Sequence, residues 1–125
     1  MEALLTILIP ILIQIESSGN PKAIGDNGKA VGILQIHKIY VRDVNRIIGR
    51  PDHYKAKDRL NKDKSIEMTK IYLKHYCKDK IKGLSTVDAL VLMGRVHNAG
   101  PRGYKKKCSL KYGAKVKTLF DALYE

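Results

Sequence analysis

The stretch Ile9–Ile36, reading IPILIQIESSGNPKAIGDNGKAVGILQI, constrains this chain more than any other. An apolar run at helical spacing delivers one carboxylate, Glu16, into a Ser-Ser-Gly-Asn-Pro turn. A Gly-rich loop follows, then a second apolar run, Val31–Ile36, whose single polar side chain is Gln35. On a helix Ile9, Leu12, Ile13 and Glu16 stand at i, i+3, i+4 and i+7 and share a face. A carboxyl at the end of such a stripe loses hydration, which disfavours its charged form. A carboxylic acid that stays protonated is what acid-catalysed bond cleavage needs. The plainer alternative is a solvated helix-end carboxylate, with Ser17 and Ser18 as capping hydroxyls.

The remaining chain reads as helix broken by turns. Pro10 either kinks the first helix or stands in its first turn, because it has no N–H to donate. Asn20-Pro21 and Asn27-Gly28 are turn signals, and Gly25, Gly28 and Gly32 free the backbone for unusual angles or close approach. Ala30–Ile36 fits either a strand or the entry to a helix. Lys38–Ile48 carries Val41, Val44, Ile47 and Ile48 at helical spacing, and Gly49 with Pro51 stops it. Residues 50–62 are charged and turn-rich, as a surface excursion would be. Asn61 or Asp63 caps a helix reaching about Asp79, with Ile66, Leu73, Tyr76 and Cys77 inward. Ser85-Thr86-Val87-Asp88 fits a capping box. The helix it opens, to about Val96, buries Val87, Leu90, Val91 and Gly94, the glycine permitting close helix packing. A last helix, about Leu110–Leu123, turns Val116, Leu119, Phe120 and Leu123 inward. Helix dominates and strand candidates are few: the fold class is mostly α, one domain over residues 1–125.

The chain has 24 Lys+Arg against 12 Asp+Glu, a formal net charge of +12. Such a field favours polyanionic partners, among them nucleic acid, an anionic membrane and a cell wall, and does not choose between them. Much of it also serves as a solvated face. Cys77 and Cys108 show neither C-x-x-C nor metal-like spacing, and both independent thiols and a single disulfide remain open. The apolar run Ala3–Ile15 is shorter than the roughly 20 residues of a membrane span. It has no basic flank, Glu2 sits where positive charge would help, and no small-residue cleavage site follows. We read it as a core helix rather than a membrane segment or secretion signal. If the target is a cell wall, delivery would then need a lysis pore or packaging in a particle, with the chain cytoplasmic until release.

The motifs E-S-S-G-N-P and G-D-N-G-K-A-V-G-I-L-Q-I resemble the catalytic stretch of the lytic transglycosylase and goose-type lysozyme superfamily. There a Glu-Ser pair ends a buried helix ahead of a Gly-x-Gly-hydrophobic-hydrophobic-Gln signature. His97-Asn98-Ala99-Gly100-Pro101 is similar to the family's aromatic-Asn-Ala-Gly-Pro loop, and Tyr112-Gly113-Ala114-Lys115-Val116 to its closing Tyr-x-x-Lys-Val helix start. The resemblance implies a lysozyme-like α+β domain with a substrate groove beside the catalytic helix. It implies cleavage of the β-1,4 link between N-acetylmuramic acid and N-acetylglucosamine in peptidoglycan, Glu16 protonating the glycosidic oxygen. Ser17 would orient the carboxyl, and Gln35 and Asn98 would hold sugar groups.

Asp26 resembles an aspartate that positions water in the goose-type enzymes, and a turn-forming role suits it equally. That family carries another aspartate where this chain has His37, and many transglycosylases carry a Ser where it has Gly25. His97 replaces the usual Tyr and retains the capacity to stack on or hydrogen-bond with sugar, and Tyr104 and Tyr40 are weaker groove candidates. Tyr112 either donates to the Glu16 carboxyl or packs at a helix start. An inverting hydrolase needs two carboxyl groups roughly 6.5–9.5 Å apart, whereas a lytic transglycosylase needs one, so hydrolysis and 1,6-anhydro formation both stay open.

No cofactor or metal is expected, for there is no H-E-x-x-H and no clustered His/Cys set. The expected partners are peptidoglycan glycan strands and, through the basic surface, anionic wall polymers. A monomer without a membrane span or specific nucleic-acid partner is expected. Three rivals stand beside this reading. One is a peptidoglycan-binding module that no longer cleaves. A second is a basic nucleic-acid binder, against which stands the lack of a helix-turn-helix, zinc or aromatic–basic strand pattern. The third is membrane disruption by the apolar N-terminus and the lysines.

Overall fold

The computed structural model describes residues 1–124. Five α-helices carry most of the chain: α1 (Glu2–Ser17), α2 (Lys38–Ile48), α3 (Lys62–Cys77), α4 (Thr86–Ala99) and α5 (Leu110–Tyr124). The sheet is a single antiparallel pair, β1 (Ile24–Gly25) and β2 (Ala30–Val31), in the register Ile24↔Val31 and Gly25↔Ala30. The fold is mostly α, as the periodicity predicts. The chain divides into two compact units, one of Glu16–Tyr72 and the other of Met1–Ile15 with the chain from Leu73 onward.

In the unit of Glu16–Tyr72, Gly49 ends α2 at φ 70°, its N–H donating back to the carbonyls of Arg46 and Asn45. That left-handed conformation suits glycine, which lacks a Cβ to clash. Asn61 opens α3 by accepting from the Lys64 N–H at 2.9 Å. The charged segment 50–62 departs from the expected surface excursion, because it sends two side chains into the interior. Tyr54 is buried and held by Asn45, whose amide donates to the Tyr54 carbonyl and accepts from the Tyr54 N–H, both at 2.9 Å. Arg59 is buried too, and a short 3-10 turn, Ala56–Leu60, aims it inward. Tyr40 lies in the core with its ring stacked 3.8 Å from that of Tyr72. Its place is in packing and not in a groove, since a ring buried on both faces has none left for sugar.

In the other unit, α1 continues through Pro10, which stands on an exposed face while Leu5, Leu8, Ile9, Ile11 and Leu12 are buried. Burying each of these side chains is worth about 1.5–3 kcal/mol, enough to hold a helix with one missing donor. Ser85 caps α4 by accepting from the Asp88 N–H at 3.2 Å. Helices α4 and α5 pack closely at Gly94, where a Cβ would come within 2.7 Å of a Val116 methyl. The inward stripe expected for α5 ends early. Val116 is buried, but Leu119 and Phe120 are only half-buried and Leu123 is 62% exposed. The close approach is confined to the helix's first half, where Tyr112, Gly113 and Val116 face α4. Cys77 is buried and Cys108 exposed, and both are free thiols.

Candidate active site

Five of the nine candidate residues, Glu16, Ser17, Asp26, Gln35 and His37, belong to the unit of Glu16–Tyr72. Glu16 occupies the last turn of α1 and is half-buried, as is Ser17 after it. The Ser17 hydroxyl donates to the Ile33 carbonyl at 2.7 Å and accepts from the Gly19 N–H at 3.2 Å. One hydroxyl therefore closes the Ser-Ser-Gly turn and ties it to the second apolar run. The backbone beside Glu16 is fixed by bonds at both of its ends.

The Gly-rich loop between these segments is built on left-handed backbone. Asp26, Asn27 and Gly28 follow one another at φ 50°, 54° and 88°. Asp, Asn and Gly are the residues that enter this region at least cost, so D-N-G fits its geometry. Gln35 also has positive φ, 51°. Its amide Nε2 donates to the Ala23 and Gly32 carbonyls, each at 3.0 Å. Both amide hydrogens go to backbone within the loop, and Oε1 lies against Gly25, where a Cβ would collide with it. The Gln35 side-chain amide thus staples the backbone of the loop.

Asp26 and His37 meet, with Oδ2 3.1 Å from Nε2. His37 is the N-cap residue of α2, extended at φ −85° and ψ 158°. The residue standing where an aspartate was expected thus partners the aspartate that remains.

Sequence reading missed Arg59 in this unit. Its Nε donates to the Ala56 carbonyl at 2.8 Å, and its Nη1 to those of Ile36 at 3.0 Å and Lys29 at 3.3 Å. It ties the residue before β2 to Ile36, which bridges Val31 just ahead of α2. The Arg59 carbonyl accepts from Ser65 Oγ at 3.0 Å and lies where a Cβ on Gly32 would collide. Gly32, at φ 88°, is required for both reasons. The only signal in the sequence was an arginine inside a charged run, which looks like any other surface arginine.

The other unit carries His97, Asn98, Tyr104 and Tyr112. His97 is buried on α4, while Asn98, one residue on, is exposed in the last turn. Gly100 stops the helix at φ 93° and ψ −176°, a conformation open to glycine alone. The loop behind it is pinned by Arg95, whose Nε donates to Ser109 Oγ and Nη2 to the Lys106 carbonyl, both at 2.8 Å. Gly103 packs against the Arg95 carbonyl with no room for a Cβ. Arg95, Gly103 and Ser109 are scaffold residues the sequence did not single out. Tyr104 is half-buried between two ammonium groups, those of Lys80 and Lys105, each 5.5 Å from its ring centre. Tyr112 is buried at the start of α5.

Among the described residues no group of three or more His, Cys, Asp and Glu side chains is assembled to hold a metal. No described helix is long and apolar enough to cross a membrane. No curated protein and no solved structure matches the chain significantly. The family model of the Transglycosylase SLT domain does match, over residues 1–120. With an apolar helix ending in Glu-Ser, a Gly-rich loop closed by Gln35 and an Asn-Ala-Gly-Pro turn after α4, the chain belongs to the SLT transglycosylase family, whose activity is lytic cleavage of peptidoglycan.

Proposed function

We propose that the chain is a lytic transglycosylase in which Glu16 is the only acid–base residue, acting on the link between N-acetylmuramic acid and N-acetylglucosamine. The observation that carries this reading is the setting of Glu16. It ends an apolar helix, half-buried, beside a turn that Ser17 locks onto Ile33. The Glu16 carboxyl gives its proton to the bridging oxygen as the bond from that oxygen to the muramic acid C1 breaks. The C6 hydroxyl of the same sugar then attacks C1, and its proton returns to the Glu16 carboxylate. The products are a 1,6-anhydro end and a free glucosamine end, and the acid is regenerated. The attack is intramolecular, and well-oriented intramolecular nucleophiles outcompete bulk water by large effective molarities.

A route with one carboxylate is favoured by the engagement of Asp26 with His37, which takes up the nearest candidate for a water-activating base in the Gly-rich loop. The basic surface, at a net +12, would hold anionic wall polymers, and activity should fall as salt screens them. Mass analysis of fragments released from purified walls tests the reading. The wild type should yield ends lighter by one water than the hydrolytic product, and Glu16→Gln should lower the rate by about 10²–10⁴. Reducing ends as the main product, or an active Glu16→Gln variant, would overturn it.

A further inference from the structure

The Gly-rich loop, the first turn of α2 and Arg59 enclose an open cleft of about 360 Å3. Every charged side chain that lines it is basic: Lys29, Lys38 and Arg59, with the His37 imidazole beside them. The first turn of α2 holds no acid either. Its exposed amides add a little positive potential. The strongest cation in the cleft is Arg59, which is only 7% exposed.

Buried arginines are normally paired with a carboxylate, because an uncompensated buried charge costs several kcal/mol. The bonds of Arg59 end instead on the neutral carbonyls of Ala56, Ile36 and Lys29, and none among the described residues uses Nη2. Desolvation accordingly draws the guanidinium down from its ordinary pKa. A folded chain that maintains such a charge next to two lysines in a concave site has the chemistry of an oxyanion receptor.

We propose that this cleft binds a carboxylate group, and, resting on the transglycosylase reading, that the group belongs to the peptide stem carried by the muramic acid units of the strand. The cleft belongs to the same compact unit as Glu16. It is lined by the loop that leaves the Glu16 turn, and the Ser17–Ile33 bond closes that loop. A substituent of the strand is therefore a nearer source of anion than a separate polymer. Its volume suits a short peptide end rather than a run of sugars.

Binding is measured on the full chain carrying Glu16→Gln, so that no turnover interferes. The probes are a muramoyl peptide with free carboxylates, the same peptide with its carboxylates amidated, and inorganic phosphate. The free acid should bind about tenfold or more tightly than the amide, and Lys29→Ala with Lys38→Ala should lower that preference severalfold. In the unmutated cleft, the Arg59 side-chain nitrogen resonances should shift with the acid and not with the amide. Equal binding of acid and amide, a preference undiminished by loss of both lysines, or phosphate binding without peptide binding would each overturn the proposal. Failure of the transglycosylase reading looks different: intact walls stay uncut by the wild type while the acid preference persists.

Discussion

Asp26 Oδ2 and His37 Nε2 lie 3.1 Å apart, a pair joining the turn of the Gly-rich loop to the first residue before α2. Their side chains are 59% and 40% exposed, so the pair is worth at most about 1 kcal/mol. It fixes where the carboxylate points more than it stabilises the fold. If Asp26 served as the base for an attacking water, Asp26→Asn would cost about 10²–10⁴ in rate. On the route through Glu16 alone, Asp26→Asn should lower wall cleavage by less than about tenfold and leave the anhydro ends unchanged. Rates of muropeptide release, with end-group masses, check both parts.

Gly25 and Gln35 meet in the loop with no room for a side chain between them. A methyl on residue 25 would occupy the place of Gln35 Oε1, while the Gly25 backbone, at φ −140°, is one that any residue adopts. The expected damage from Gly25→Ala is thus steric and reaches the fold through Gln35. Displacing that amide breaks its two bonds to Ala23 and Gly32, at about 1 kcal/mol each. Gly25→Ala should destabilise the chain by about 1–3 kcal/mol, and Gln35→Ala should absorb most of that cost when the two are combined. A double-mutant cycle by denaturant titration reads the coupling. Strict additivity would show that the amide is not the obstacle.

What could be read in the sequence was local. The end of α2 and the start of α4 follow from Gly49 and Ser85, each acting within a turn of itself. The Asp26-Asn27-Gly28 turn follows from residues that tolerate positive φ. Long-range returns of the chain stayed hidden. Arg59 reaches back 23 residues to the Ile36 carbonyl, and nothing in a charged segment distinguishes a guanidinium that does so. Gln35, an amide alone on an apolar run, needs partners, and backbone carbonyls of its own loop take both of its amide hydrogens, a local return no spacing announced. Leu123 kept the helical spacing of a core residue beyond the point where α4 and α5 pack closely.

The two thiols differ in environment, and their chemistry should differ with it. Cys77 is 0% exposed, and burial pushes its thiol up from 9.0 to about 12. Cys108 is exposed. The thiolate is the reacting form, so a thiol reagent added to the native protein near neutral pH should modify Cys108 and spare Cys77. Both should react in denaturant. Two fast thiols in the folded protein would mean that the helix end holding Cys77 opens readily.

Tyr54 makes stability sensitive to alkali. Burial, then the hydrogen bond to Glu67 Oε1 at 2.8 Å, then the charges of Glu67 and Asp58, push its phenol from 10.0 to about 12. The folded chain therefore keeps a proton that the unfolded chain releases. That contribution is whole below pH 10 and disappears as pH rises through about 12. The Cys77 thiol acts with the same sign from 9.0 upward. Unfolding free energy should then fall from pH 9 to pH 12, with the steeper part above pH 10. Tyr54→Phe removes the phenol, at a cost of about 1 kcal/mol below pH 9 for the lost bond. Its alkaline decline should be shallower, because Cys77 remains while Tyr54 no longer titrates. Denaturant midpoints of both proteins across this range decide the matter. Parallel curves would mean that the Tyr54 proton is held no more tightly in the folded chain than in the unfolded one.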